Sequence, residues 1–273
     1  MLRYLFNLWV WNTFADQESS DLLNHPGDTL LWFFAFVSSD LFSHPGDILL
    51  WFIVFLFSLS CHESAHAWTS ERFGDYTGRY QGRITLNPIP HIDIFGTIIF
   101  PLVAILSPGG AMLFGWAKPV QTNPLLWRDK KKANIMVSMA GPASNFILAI
   151  IAFAIIKILL ISAVVGPATG PDAGRFDIVL PTANQPGILI PIAKLLSILL
   201  ELNVVLGVFN LVPVPPLDGS HVLESLLPYE MSQAYSAIRP YGIFLLVGLM
   251  LLGVFDFIIR PVFDFVFMLL FGG

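Results

Sequence analysis

The stretch Cys61–Trp68 reads CHESAHAW, and it closes a run, Ile48–Ser60, that carries no charge (ILLWFIVFLFSLS). Two histidines and a glutamate on a segment built for lipid need a reason. Ionisable groups inside a span are costly and mark function by default. On a helix, His62 and His66 stand four residues apart, so both rings project from one face and can hold one metal ion. Glu63 falls on the neighbouring face, beside the metal rather than on it. Two neutral imidazoles and a carboxylate leave zinc a fourth position for water, whose pKa falls towards ~7, and a nearby carboxylate can take its proton. That is the H-E-x-x-H logic of a metalloprotease, with one Zn2+ per chain.

Working outward, composition predicts an all-α polytopic membrane protein. Of 273 residues, 55% are hydrophobic and 12% charged, about half the charged share of an ordinary soluble chain. The net charge of −5 comes without any basic tract interleaved with aromatics, which excludes a nucleic-acid partner. Cys61 is the single cysteine, which rules out intrachain disulfides and Cys-based zinc clusters.

The apolar run Ile48–Thr69 is long enough to span a bilayer, as are Ile135–Val165 and Ile188–Val212, with a longer last segment, Tyr241–Phe271. The last carries Asp256, Arg260, Pro261 and Asp264 and is expected to kink or to end at the interface. Ile92–Trp116 is interrupted by Pro101, Pro108, Gly109 and Gly110, a pattern for a broken, re-entrant segment lining a wet cavity. The expectation is about four transmembrane helices, this broken segment and a short membrane-associated β hairpin. GDYTGRYQGRITLNPIP (Gly74–Pro90) reads as the hairpin, and GRITL (Gly82–Leu86) as an edge strand able to pair with an extended substrate.

Residues 1–47 form a separate region. An interfacial helix precedes a tandem repeat, SSDLLNHPGDTLLWFFAFV from Ser19 and SSDLFSHPGDILLWFIVFL from Ser38. Asp28 and Asp47 are expected to cap the helices that follow, and His25 and His44 to belong to Pro-Gly turns rather than a metal site. Residues 48–273 are expected to form a second region, a metalloprotease domain.

A third ligand is expected in NLVPVPPLDGSH (Asn210–His221), where Pro213, Pro215 and Pro216 break the helix and deliver Asp218 and Gly219 at a turn. Asp218 as ligand, Asp218 as a helix cap, and His221 as ligand all fit the spacing.

HESAHAW, GWAKPV (Gly115–Val120), AGPASN (Ala140–Asn145) and NLVPVPPLDG (Asn210–Gly219) together resemble the site-2 protease family of intramembrane zinc metalloproteases, in its short form without a PDZ or CBS module. The resemblance covers Ile48 to the C-terminus. It implies that His62, His66 and Asp218 bind zinc, that Glu63 is the catalytic glutamate, and that Asn210 and Asn145 serve catalysis. Asn210 matches a position that helps bind or polarise the substrate carbonyl. The implied reaction is hydrolysis of a peptide bond within or next to a transmembrane segment of a membrane-protein substrate. The implied setting is a bacterial or archaeal cell membrane, the partners being the lipid bilayer and the substrate, with room for a homo-oligomer. Rival readings are a membrane metalloprotease acting on non-transmembrane or lipidated substrates, and a transporter with a metal site.

Charge sets the orientation. Arg72, Arg79 and Arg83 follow the first span, and Lys118, Arg128, Lys130, Lys131 and Lys132 precede the next, so both loops belong in the cytoplasm. They share a side only if Ile92–Trp116 does not cross, which puts the active site nearer the cytoplasmic face.

Overall fold

The computed structural model describes residues 45–99, 117–168, 177–182 and 185–272. The tandem repeat, His25, His44, the interfacial helix and most of the broken segment lie outside the described residues.

The first helix, α1 (Pro45–Arg72), has Pro and Gly only in its first turn and runs unbroken into the HESAH motif. It stops at Gly74, whose φ of +105° few other residues adopt. A single turn, α2 (Thr77–Tyr80), follows. The next long helix, α3 (Lys130–Ile161), is capped by Asp129, whose carboxylate accepts from the Lys132 amide at 3.0 Å. At ~1.5 Å per residue it is about 48 Å long, more than the ~30 Å apolar thickness of a bilayer.

Strands β1 (Val165–Pro167) and β2 (Val179–Pro181) pair antiparallel, Gly166 opposite Leu180. Helix α4 (Leu189–Leu211) ends where the proline-rich loop begins, and α5 (Asp218–Leu226) follows it. The chain closes with α6 (Tyr229–Ser236), α7 (Gly242–Leu251) and α8 (Val254–Phe271).

Among the described residues, four segments are long and apolar enough to cross a membrane: Leu49–Arg72, Lys130–Ile161, Leu189–Leu211 and Tyr229–Leu251. Ile147, Ile150 and Ile158 on α3 and Phe244 on α7 are exposed, as lipid-facing residues are. Helix α4 is the hub. It meets α1 through Val54, Phe55, Ile198 and Leu202, and α3, the hairpin and the end of α8 through Ile156, Val179, Leu200 and Leu270. Val205 joins Leu246, Met250 and Phe255 of α7 and α8 in a third cluster.

Three expectations need correction. The hairpin exists, but at residues 165–181 and not in Gly74–Pro90. There, Asp75 accepts from the Thr77 and Asn123 amides (3.0 and 2.7 Å) and Arg83 N donates to Gly78 O (2.8 Å), winding the chain into turns. GRITL is bent, and its Arg83 carbonyl and Thr85 amide and carbonyl go to the Ser64 hydroxyl of α1 rather than to a strand.

The last apolar segment is not one kinked helix. Gly253, at φ +70°, separates α7 from α8, and the fourth candidate span starts earlier, at Tyr229. Asp47 is no cap either. It sits within the first turn of α1, and its carboxylate lies 2.7 Å from Lys194 Nζ.

The two ends of the broken segment meet. Lys118 N donates to His91 O at 2.9 Å, and the flanking loops are tied by Gln81 to Gln121 (3.1 Å) and Arg128 N to Phe73 O (3.0 Å). The residues flanking the broken segment therefore lie side by side.

Candidate active site

Helix α1 carries His62 and His66 with ring centroids 4.7 Å apart, both nearly buried. The three consecutive-loop prolines bring the chain back from α4 so that Asp218 opens α5 against them. Asp218 is the first residue of that helix, not its cap. Gly219 allows this approach, because a Cβ there would lie 2.7 Å from Val212 O and collide with Leu211 O.

Three acceptor atoms converge. His62 Nε2 lies 3.1 Å from Asp218 Oδ2, His66 Nε2 lies 3.3 Å from it, and the two nitrogens are 3.1 Å apart. Asp218 Oδ2 is buried and has no hydrogen-bond partner. A tetrahedral metal with bonds of ~2.0–2.1 Å sets its ligands about 3.3 Å from one another, so these separations are those of ligand atoms around one ion. An ionised carboxylate is the form that binds metal.

The ring tautomers follow from their outer partners. Val137 O, which can only accept, lies 2.7 Å from His66 Nδ1, so Nδ1 carries the proton and Nε2 keeps its lone pair. For His62 the reasoning runs through two amides. Leu199 O accepts from Asn203 Nδ2 (2.9 Å), so Asn203 Oδ1 faces Asn145 and accepts from its Nδ2 (2.8 Å). Asn145 Oδ1 is left to accept from His62 Nδ1 at 2.6 Å. Asn203 also donates to Ser58 Oγ (2.8 Å). One buried polar chain thus ties α1, α3 and α4 together and aims the His62 lone pair inward.

Helix α3 can come this close only because residue 141 is glycine: a Cβ there would lie 2.6 Å from His62 Nε2 and collide with His66 Nε2. The AGPASN motif therefore supplies a close approach at Gly141 and an orienting amide at Asn145.

Glu63 lines the same cavity, of about 460 Å³, and its Oε2 accepts from Val120 N at 2.8 Å. Asn210 lines it too, with Nδ2 donating to Leu206 O in its own helix at 3.0 Å. Phe55, Leu206 and Phe209 supply apolar wall. His221 is on the wall but outside the ligand triangle. Burial, then the Arg239 guanidinium 3.5 Å from Nδ1, pushes its imidazole below the ordinary range.

The structure thus gathers His62, His66, Asp218, Glu63 and Asn210 at one cavity. It sets Asn145 apart, fully buried behind His62. Sequence reasoning missed Asn203, Ser58 and Gly141. A lone Asn in the apolar run ILLELNVVLG (Ile198–Gly207) was the signal for the first.

Comparison with known proteins agrees with this geometry. The chain is 34% identical to a Bacillus subtilis protein named "Putative zinc metalloprotease YwhC" over 206 residues, 76% of this chain and 82% of that one. It is 31% identical to "Putative zinc metalloprotease Rip2" of Mycolicibacterium smegmatis over 72% of this chain, and 30% identical to the Mycobacterium tuberculosis protein of that name over 70%. The match spans 64% and 63% of the length of those two, under two thirds of each. No solved structure gives a significant match. Residues 50–253 match Peptidase family M50, and with the ligand triangle, Glu63 and the cavity all inside that span, the chain belongs to this family of peptidases.

Proposed function

We propose that the chain is a zinc metalloprotease of the membrane that hydrolyses peptide bonds within or beside transmembrane segments of membrane-protein substrates. The observation that carries this is the triangle of two ring nitrogens and a carboxylate oxygen, 3.1–3.3 Å on each edge, set among apolar helices long enough to span a bilayer. The donor set fits zinc: three acceptors, no proton to share between them, and an unpartnered buried oxygen. Zinc held there supplies Lewis acidity, lowering the pKa of a water and polarising a peptide carbonyl.

The chain's own residues do the rest. His62, His66 and Asp218 hold the ion. Glu63, kept in place by the Val120 amide, accepts a proton from water and returns it to the leaving amine. Asn210 has a second amide proton to offer a substrate carbonyl. Asn145 positions His62 and does not touch substrate. Phe55, Leu206 and Phe209 give an apolar segment a place to lie while its scissile bond, freed from helical hydrogen bonding, reaches the metal.

The test is direct: zinc analysis of the purified chain and incubation with a model transmembrane peptide. One zinc per chain and products cut inside or beside the apolar stretch are expected. Cleavage confined to soluble peptides would overturn the substrate class, and a zinc-free active enzyme the mechanism.

We infer that the site lies nearer the cytoplasmic face, from Arg72, Arg79, Arg128 and the Lys130–Lys132 run on adjoining loops. In a Cys61→Ser background, probes at Thr77 and Asp129 are expected to be labelled from the same, cytoplasmic side. Labelling from opposite sides would break this topology.

A further inference from the structure

Arg83 entered the argument as a surface charge that orients the loop. It is instead buried, 4% exposed, and its guanidinium donates to three carbonyls: Pro90, Lys118 (3.2 Å) and Pro119 (3.0 Å). Among the described residues no carboxylate lies within ion-pair distance of it. A buried cation held only by carbonyl dipoles is costly to bury. What that cost secures is visible in its neighbours.

Pro119 precedes Val120, the residue whose amide holds Glu63 Oε2 at 2.8 Å. At the other end, the Ser64 hydroxyl is shared between the carbonyls of Arg83 (3.2 Å) and Thr85, and accepts from the Thr85 amide (3.2 Å). A closed circuit results. Glu63 is held by Val120, the Pro119 carbonyl beside it by the Arg83 side chain, the Arg83 backbone by Ser64, and Ser64 is bonded to Glu63. Without the guanidinium, the strip 117–120 keeps, among the described residues, the Lys118 to His91 bond and the Val120 to Glu63 bond, with the Gln81 to Gln121 and Asn123 to Asp75 bonds next to it. The guanidinium is the one side chain that binds two successive carbonyls of this strip, Lys118 and Pro119, among the described residues.

We propose that Arg83 is a positioning residue for Glu63: it clamps the 117–120 strip so that the Val120 amide fixes the carboxylate beside the metal. This rests on the reading of Glu63 as the proton acceptor. A carboxylate displaced by about 1 Å can cost ~10²-fold in turnover with binding unaffected.

Two measurements test it on the full-length protein. The first takes kcat, KM and zinc content for Arg83→Ala and Arg83→Lys with a model transmembrane peptide. Arg83→Ala is expected to keep zinc and KM and lose about 10²-fold in kcat, with partial recovery in Arg83→Lys, which still donates but without the fork. The second follows hydrogen exchange of the peptide covering 117–122 in wild type, Arg83→Ala and Glu63→Ala. Both variants are expected to exchange faster there by about tenfold or more, with the α3 and α4 peptides unchanged. Loss of zinc with activity, a raised KM at constant kcat, or unchanged exchange at 117–122 would each overturn the proposal. The exchange arm needs no turnover, so a wild type that leaves the peptide uncut would count against the protease reading alone.

Discussion

Helix α4 has a cluster of ionisable side chains near each end, and the two are built on opposite principles. At its start, Lys194 Nζ lies 2.7 Å from Asp47 Oδ2 and 3.6 Å from Asp177 Oδ2, so an ammonium with three protons serves the carboxylates. Beyond its other end, His62, His66 and Asp218 turn three acceptors on one point, and each imidazole has spent its proton on an outer partner. The first cluster is complete without a ligand and the second is not. Donor counting, more than burial or charge, separates a structural cluster from a site, because a buried acceptor without a donor costs energy that only a cation can return.

The comparison can be broken or sharpened by substitution. Asp218→Ala removes one of three ligands and is expected to abolish both zinc binding and cleavage, read by metal analysis and peptide assay. Full zinc occupancy in that variant would move the ligand to His221 and break the comparison outright.

Glu63→Gln removes no ligand and keeps an oxygen for the Val120 amide. It is expected to retain zinc while cleavage falls by about 10²–10⁴-fold. Metal loss in this variant would make Glu63 part of the acceptor cluster.

A smaller effect sharpens the role of the outer partners. Asn145→Ala or Asn203→Leu frees His62 to rotate or change tautomer, and zinc affinity by competition with a chelator is expected to drop about 10–100-fold. Unchanged affinity would mean that the polar chain only joins helices.

The smallest effect on function belongs to the other end of α4. Lys194→Met leaves Asp47 and the buried Asp177 without that ammonium and is expected to lower the thermal stability by about 3 kcal/mol. Zinc affinity and kcat/KM should stay at wild-type values.

The cluster was legible because His62 and His66 are a local helical pattern and Asp218 sits in a proline-broken loop that announces itself. Residues 73–83 and 118–128, the charged loops, are joined by hydrogen bonds. Gly141 was not legible as a close approach, since that depends on which helix lies across it. Nor was Arg83, whose charge reads the same in sequence whether it meets water or three carbonyls. GRITL has strand-like composition, but a strand needs a partner, and Ser64 took its backbone groups first. Asn203 stood in plain view as a polar residue in an apolar run, without anything in the sequence to say that it completes a relay to His62.

The bond between Lys118 N and His91 O has a consequence for how the chain can vary. It closes a ring whose two anchor points are fixed by the protein rather than by what lies between them. In polymer terms the entropy of closing such a ring grows only as the logarithm of its length, so doubling the insert costs about 0.6 kcal/mol. Added length between His91 and Lys118 is therefore cheap in closure entropy so long as those two residues keep their bond.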